Sequence, residues 1–327
     1  MSKLVTIIGG SGFVGRYVAR RMAKAGWRVR VACRRPNEAL FVRPYGAVGQ
    51  VEPIFCNIRS DASVAAAISG ADAVVNCVGI LAESGKNRFD SIQAEGAGRV
   101  ARLAAAEGVE RLVQISAIGA DAGSPSAYGR SKAAGEAAVS AAFPSAVILR
   151  PSIIFGPEDE FFNRFASMSR FGPVLPIVGA ETRFQPVFVE DVAAAAAQAV
   201  LTEVPAGIYE LGGPEVMTFR EMMALMLKTI NRRRAVVEMP GAVAGLMAGV
   251  LDGLQGATGG LLANKTLTRD QLKNLARDNV VSPGAKGFEA FGIAPHSAGS
   301  ILPAYLWRFR PSGQYDAIKA SAKNLRA

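Results

Sequence analysis

Along the first half of the chain, short uninterrupted runs of β-branched and apolar residues alternate with Ala-rich stretches whose apolar positions recur every three or four residues. A run without polar alternation predicts a strand buried on both faces, and the helical spacing between runs predicts the helices that cover it. Strands are predicted at Leu4–Ile8, Arg28–Cys33, Val51–Cys56, Ala73–Val78, Arg111–Ile115 and Ala146–Leu149. Helices are predicted from the glycines after the first strand to Ala25, and over Ala62–Ile68, Gln93–Glu107 and Tyr128–Ala142. Strand, helix, strand with right-handed crossovers makes a parallel sheet that binds ligands at the carboxyl ends of its strands. After Pro151 the rhythm breaks into segments punctuated by Pro and Gly, of which Val187–Val189, Asp191–Leu201 and Ile208–Leu211 are predicted to rejoin the sheet. The expected fold is therefore α/β, a Rossmann-type doubly wound parallel sheet over 1–155 with returning segments at 185–212. Residues 156–184 and 213–327 are left for a smaller C-terminal lobe that ends in a docking tail.

The turn between the first strand and its helix carries candidate chemistry. Ile7-Ile8-Gly9-Gly10-Ser11-Gly12-Phe13-Val14-Gly15 places three glycines at the spacing of a dinucleotide-binding turn. Gly9 permits the tight turn, Gly12 lets backbone amides of Phe13 and Val14 approach a pyrophosphate, and Gly15 lets the helix pack close to the strand. An NAD-preferring site ends its second strand with a carboxylate for the ribose 2′-hydroxyl. Here that strand ends Ala32-Cys33-Arg34-Arg35, whose guanidinium groups suit the 2′-phosphate of NADP(H), with Arg16 as a further clamp. Position alone adds Asn57 and Ile58 after the third strand, Cys77, Val78 and Gly79 after the fourth, and Pro151 after the sixth.

Tyr128-Gly129-Arg130-Ser131-Lys132 puts a phenol and an ammonium four residues apart on one helix face. An adjacent ammonium favours the phenolate, so the pair suits general acid or base work at a carbonyl–alcohol centre. Over roughly residues 1–215 the chain thus resembles the extended or atypical branch of the short-chain dehydrogenase/reductase superfamily. The resemblance implies catalytic Tyr128 and Lys132, and an upstream serine that polarises the carbonyl. Ser116 fills that role in one register; one residue on, Ala117 leaves the site a donor short, which typically costs a few kcal/mol of transition-state stabilisation.

Four further runs sharpen the resemblance: Phe155-Gly156-Pro157-Glu158-Asp159, the segment from Phe162-Asn163-Arg164-Phe165 to Arg170-Phe171-Gly172-Pro173, Gln185-Pro186-Val187-Phe188-Val189, and Leu306-Trp307-Arg308-Phe309-Arg310. These are similar to the NADPH-binding accessory-subunit family of respiratory complex I. That resemblance implies a non-catalytic subunit docked on other subunits of the complex, peripheral on the cytoplasmic face of a bacterial inner membrane.

Composition narrows the alternatives. Of 327 residues, 50% are hydrophobic and 20% charged, which excludes disorder. No export signal is read at the N-terminus. The three cysteines, Cys33, Cys56 and Cys77, lack the close pairing of a zinc site and are read as buried free thiols; the single histidine, His296, leaves no Ser-His-Asp triad and no imidazole metal cluster. A net charge of +10 calls for an anionic partner, yet no nucleic-acid-binding motif is present. Basic residues at Lys265, Arg269, Lys273, Arg277, Lys286, Arg308, Arg310, Lys319, Lys323 and Arg326 suit anionic lipid headgroups, an acidic subunit or plain solvation. Met239–Ala263, apolar with Asp252 its only charge, is open to three readings: a helix pair in the lobe, an element lying on a membrane or partner, or a span. Tyr305, Trp307 and Phe309 are open to two, interface anchors or a docked core tail.

Overall fold

The computed structural model describes residues 2–257 and 268–315. Seven strands form the main sheet: β1 (Leu4–Ile8), β2 (Arg28–Cys33), β3 (Val51–Phe55), β4 (Ala73–Asn76), β5 (Arg111–Ile115), β6 (Val147–Pro151) and β7 (Gly207–Leu211). Their order is β3-β2-β1-β4-β5-β6-β7 with every pairing parallel. The chain builds outward from β1 to β3, then crosses back to β4. That reversal opens a crevice beside β1, where Ile8 is flanked by Ala32 on one side and Asn76 on the other.

Helices cover both faces because the strands are apolar on both. On one face, α1 (Phe13–Lys24) and a later helix, Val189–Leu201, pack over Val5, Ile7, Val29, Val31 and Leu149. The other face carries α2 (Asp61–Ile68), α3 (Glu95–Ala106) and α4 (Ala127–Ala142) over Leu4, Ile8, Val74, Leu112 and Ile148. Two of the predicted strands end early, β3 at Phe55 and β4 at Asn76, because the chain turns at the sheet's carboxyl edge; the Val78 amide already donates to the Asn76 side chain at 3.1 Å. A 3₁₀ segment over Pro36–Tyr45 and a π-helical turn over Asp90–Ala94 had no periodicity to announce them.

A third core lies beside the sheet. Phe155, Phe162, Phe184, Phe219, Met222 and Met226 close around Leu302, Tyr305 and Leu306 of the helix Ala298–Leu306. Tyr305 is buried and donates its hydroxyl to Asp159 at 2.7 Å, while Asp159 also accepts from the amides of Gly156, Phe161 and Asn163. Tyr305 is thus a core residue of a docked tail, whereas Trp307 keeps 39% of its surface exposed. The apolar stretch after Met239 forms a helix, Gly241–Ala257; residues 258–263, like Lys265, Lys319, Lys323 and Arg326, lie outside the described residues. Among the described residues no helix is long and apolar enough to cross a membrane.

One buried ion network ties α4 to the sheet. Arg150 on β6 reaches Glu136 on α4 at 2.6 Å and Glu210 on β7 at 3.5 Å, and all three side chains are largely excluded from water. Removing the shared cation strands two buried carboxylates. Arg150→Met is expected to cost about 3–5 kcal/mol of stability, read as a lower urea midpoint; an unchanged midpoint would show that the network contributes little.

Candidate functional site

The crevice begins at the β1–α1 turn. Gly9 has φ +77, and a Cβ there would sit 2.9 Å from Val78 Cγ2 and 3.2 Å from the Val78 amide. A Cβ at Gly15 would fall on the Gly9 carbonyl, so α1 can start this close to β1 only with glycine. Gly12 caps α1 with no side chain, and the first turn holds no acidic residue. Its first amides, at Phe13, Val14 and Gly15, therefore meet the sheet's carboxyl edge without a competing carboxylate, which is the donor set a pyrophosphate needs.

The arginines are not equivalent. Arg16 folds back onto the turn, donating to the Gly12 and Ser11 carbonyls at 3.2 Å each, lies 4.8 Å over the Phe41 ring, and pairs with Glu158 at 3.7 Å. Arg35 is exposed and pairs with Glu38 at 3.1 Å. Arg34, also exposed beyond β2, has no ion pair among the described residues. No carboxylate stands at the end of β2, where an NAD-preferring dinucleotide site places one.

The loops after β3 and β4 are held by their own polar groups. Asn57 accepts from the Arg59 amide at 3.2 Å, and its own amide donates to Ser63 Oγ at 2.9 Å. Ile58 is buried beneath α3, with its carbonyl accepting from Arg99 at 3.0 Å. The Cys77 amide extends the sheet by donating to Ile8 at 2.8 Å. Val78 presses on Gly9, while a Cβ at Gly79 would lie 3.3 Å from Lys132 Nζ. This one loop therefore joins the glycine turn to the Tyr–Lys helix.

On α4, Lys132 is buried, with Nζ 5.9 Å from the Tyr128 ring centroid and 3.5 Å from the Ile115 carbonyl. Loss of water pushes its ammonium down to about 8, against the opposing pull of Glu136 and then Cys77. Tyr128 packs edge-on to Phe89, and burial pushes its phenol up to about 12. Desolvation of the phenol outweighs the ammonium that would favour the phenolate. The Ser116 hydroxyl donates to the Glu136 carboxylate and so joins the Arg150 network, and half-exposed Ala117 follows it. Pro151 ends β6, where its carbonyl accepts from the Ile118 amide at 3.0 Å.

Sequence reasoning missed Asp270. It sits on a short helix, Arg269–Leu275, and caps α4 from outside, accepting from Ser126 Oγ at 2.7 Å and from the amides of Ala127 and Tyr128 at 2.7 and 3.1 Å. Ser126 was legible as an N-cap and Thr268 with Gln271 as a capping box, but nothing local links positions so far apart. Gln271 and Lys273 of the same helix reach the carbonyls of Leu81 and Pro125 at 3.5 and 3.3 Å. The three cysteines are free, and no metal-binding cluster occurs among the described residues.

Known proteins align with this architecture. The chain is 32% identical over 316 residues to the mitochondrial NADH dehydrogenase [ubiquinone] 1 alpha subcomplex subunit 9 of Arabidopsis thaliana, covering 95% of this chain and 79% of that one. It is 31% identical over 239 residues to a ceramide reductase of Caulobacter vibrioides, covering 72% of this chain and 74% of the relative. The UDP-glucuronic acid 4-epimerase of Bacillus cereus, solved with a UDP-sugar and NAD, superposes with a TM-score of 0.62 at 14% identity, over 72% of this chain and 86% of that one; this likeness is one of fold. Residues 5–212 match the NAD dependent epimerase/dehydratase family, and because that match runs from β1 to the end of β7, the chain belongs to it.

Proposed function

We propose that this chain is an NADP(H)-binding accessory subunit of respiratory NADH:quinone oxidoreductase, peripheral on the cytoplasmic face of a bacterial inner membrane, with little or no turnover of its own. The observation that carries this reading is the reach of the similarity. The family match ends at residue 212, whereas the likeness to the Arabidopsis complex I subunit extends over 95% of the chain and so includes the lobe, which a shared dinucleotide fold does not require. Arg34 supports NADP(H), because its uncommitted guanidinium stands where an NAD site places a carboxylate.

The site chemistry favours holding over turnover. When bound, the nicotinamide supplies hydride chemistry; the chain's own residues bind and orient it. The amides at the start of α1 receive the pyrophosphate, and Lys132 faces the loop that carries Gly79. Ser116 is committed to Glu136, which leaves a carbonyl without that donor. A ligand held only by the folded chain stabilises it by a few kcal/mol at saturation, enough for a structural role.

A second reading is favoured by the same helix. Tyr128 keeps its proton at neutral pH and is able to donate to a carbonyl oxygen, and the Caulobacter relative is a ceramide reductase. This alternative is a free NADPH-dependent reductase or epimerase of the extended family, acting on a lipid or sugar-nucleotide carbonyl through Tyr128 and Lys132.

A tagged copy drawn from solubilised membranes separates the two: co-purification of many respiratory subunits is expected, and recovery of the tagged chain alone would reject the assembly reading. If reductase activity is then found, Tyr128→Phe is expected to abolish it, and retained activity would move the chemistry off this helix.

The buried ammonium has a pH signature. Lys132 holds its proton less tightly folded, at about 8, than at its ordinary 10.5, so its penalty is fully present below about 8 and disappears as pH rises towards 10.5. Lys132→Met is expected to stabilise the nucleotide-free protein at neutral pH by up to about 3 kcal/mol, with the advantage closing across that window in urea unfolding. A gap that stays constant with pH would contradict this origin.

A further inference from the structure

Away from the crevice, the lobe ends in a two-stranded parallel ribbon, Val174–Ile177 beside Ala235–Glu238. Strand alternation turns Leu175 and Ile177 into the core and leaves Val174, Pro176, Ala235 and Val237 exposed together. Ahead of the ribbon, Phe171 projects with 80% of its surface exposed from a turn whose Gly172 has φ +103. The ribbon runs on into Gly241–Ala257, where Val243, Leu246 and Val250 are exposed at helical spacing and Ala244 and Ala248 are buried. Solvent-facing apolar side chains gathered like this mark a contact surface.

The charges at the ribbon's end indicate what it contacts. Arg170, Arg232, Arg233 and Arg234 gather there, and none has an ion pair with a carboxylate among the described residues. Two of them are anchored on backbone carbonyls at 2.8 Å: Arg232 by Nε on Phe309, and Arg234 by Nε on Ser169 and by Nη1 on Arg233. Burial, and then the neighbouring guanidinium groups of Arg234 and Arg170, push Arg232 below the ordinary arginine value. Like charges held together without a counter-charge are relieved by an anion from outside the chain.

We propose that this ribbon face, with Phe171 and the arginine cluster at its end, docks on an anionic phospholipid bilayer. The guanidinium groups meet headgroup phosphates while Phe171, Val174 and Val237 enter the boundary with the acyl chains, a division of labour that a soluble anion would not use. The inference holds whether the chain works inside a complex or alone, and it concerns residues distinct from the crevice.

The test is sedimentation of the isolated full-length protein with vesicles of phosphatidylcholine, with and without one-third phosphatidylglycerol, so that no other subunit takes part. Binding to the anionic vesicles and not the neutral ones is expected. Arg233→Glu, at an exposed side chain with no described partner, is expected to weaken it at least about fivefold, and Phe171→Ser to weaken it several-fold. Lys24→Glu, the same charge change at the far end of α1, is expected to leave it unaltered. Matching thermal melts establish that the variants fold. The proposal is overturned if the protein ignores anionic vesicles, if Lys24→Glu weakens binding as much as Arg233→Glu, or if the protein prefers a soluble polyanion such as heparin and leaves the vesicles behind.

Discussion

Helix α1 starts so close to β1 that a Cβ at Gly15 would overlap the Gly9 carbonyl and one at Gly9 would press on Val78. That approach sets the rest of the crevice. It brings the first amides of α1 to the carboxyl edge of the sheet, where β4 has turned away, and it seats the loop after β4 between the glycine turn and α4. A methyl group at either glycine would push α1 outward or displace Val78, and with it the Gly79 backbone against which Lys132 rests. The phosphate cradle and the Tyr–Lys helix are therefore parts of one close-packed unit.

Around that unit the chain distributes charge unevenly. Loss of water lowers the affinity of Lys132 for its proton and raises that of Tyr128. Glu136 answers both to Arg150 and to Ser116, which ties the serine at the end of β5 to helix α4. Asp270 then holds the first turn of α4 from the C-terminal third, so a segment far along the chain supports the geometry of the Tyr–Lys helix.

The sheet was legible because buried parallel strands leave uninterrupted β-branched runs, and the crevice because its glycines answer a steric demand local to one turn. Strand ends were less so: the amides of Cys56 and Cys77 still donate to the neighbouring strands, whereas Val78 lies where the chain bends and donates to the Asn76 side chain instead. The orientation of Ser116 could not be read, since it depends on Glu136 and Arg150 arriving from α4 and β6. The Asp270 cap joins residues more than a hundred positions apart. Tyr305, open between an interface anchor and a docked core tail in the sequence, is settled as core by the buried, amide-bound Asp159 that accepts its hydroxyl. Long-range polar pairing leaves no periodicity behind, whereas burial does.

The central claim is that the amides of α1 and the guanidinium of Arg34 grip a phosphorylated adenine dinucleotide. Native mass spectrometry of the purified protein, followed by identification of whatever nucleotide is released on denaturation, tests it most directly. One NADP(H) per chain, retained or taken up in preference to NAD(H), is the predicted result. A chain that stays free of nucleotide in excess NADPH, or that takes NAD(H) equally well, would contradict it.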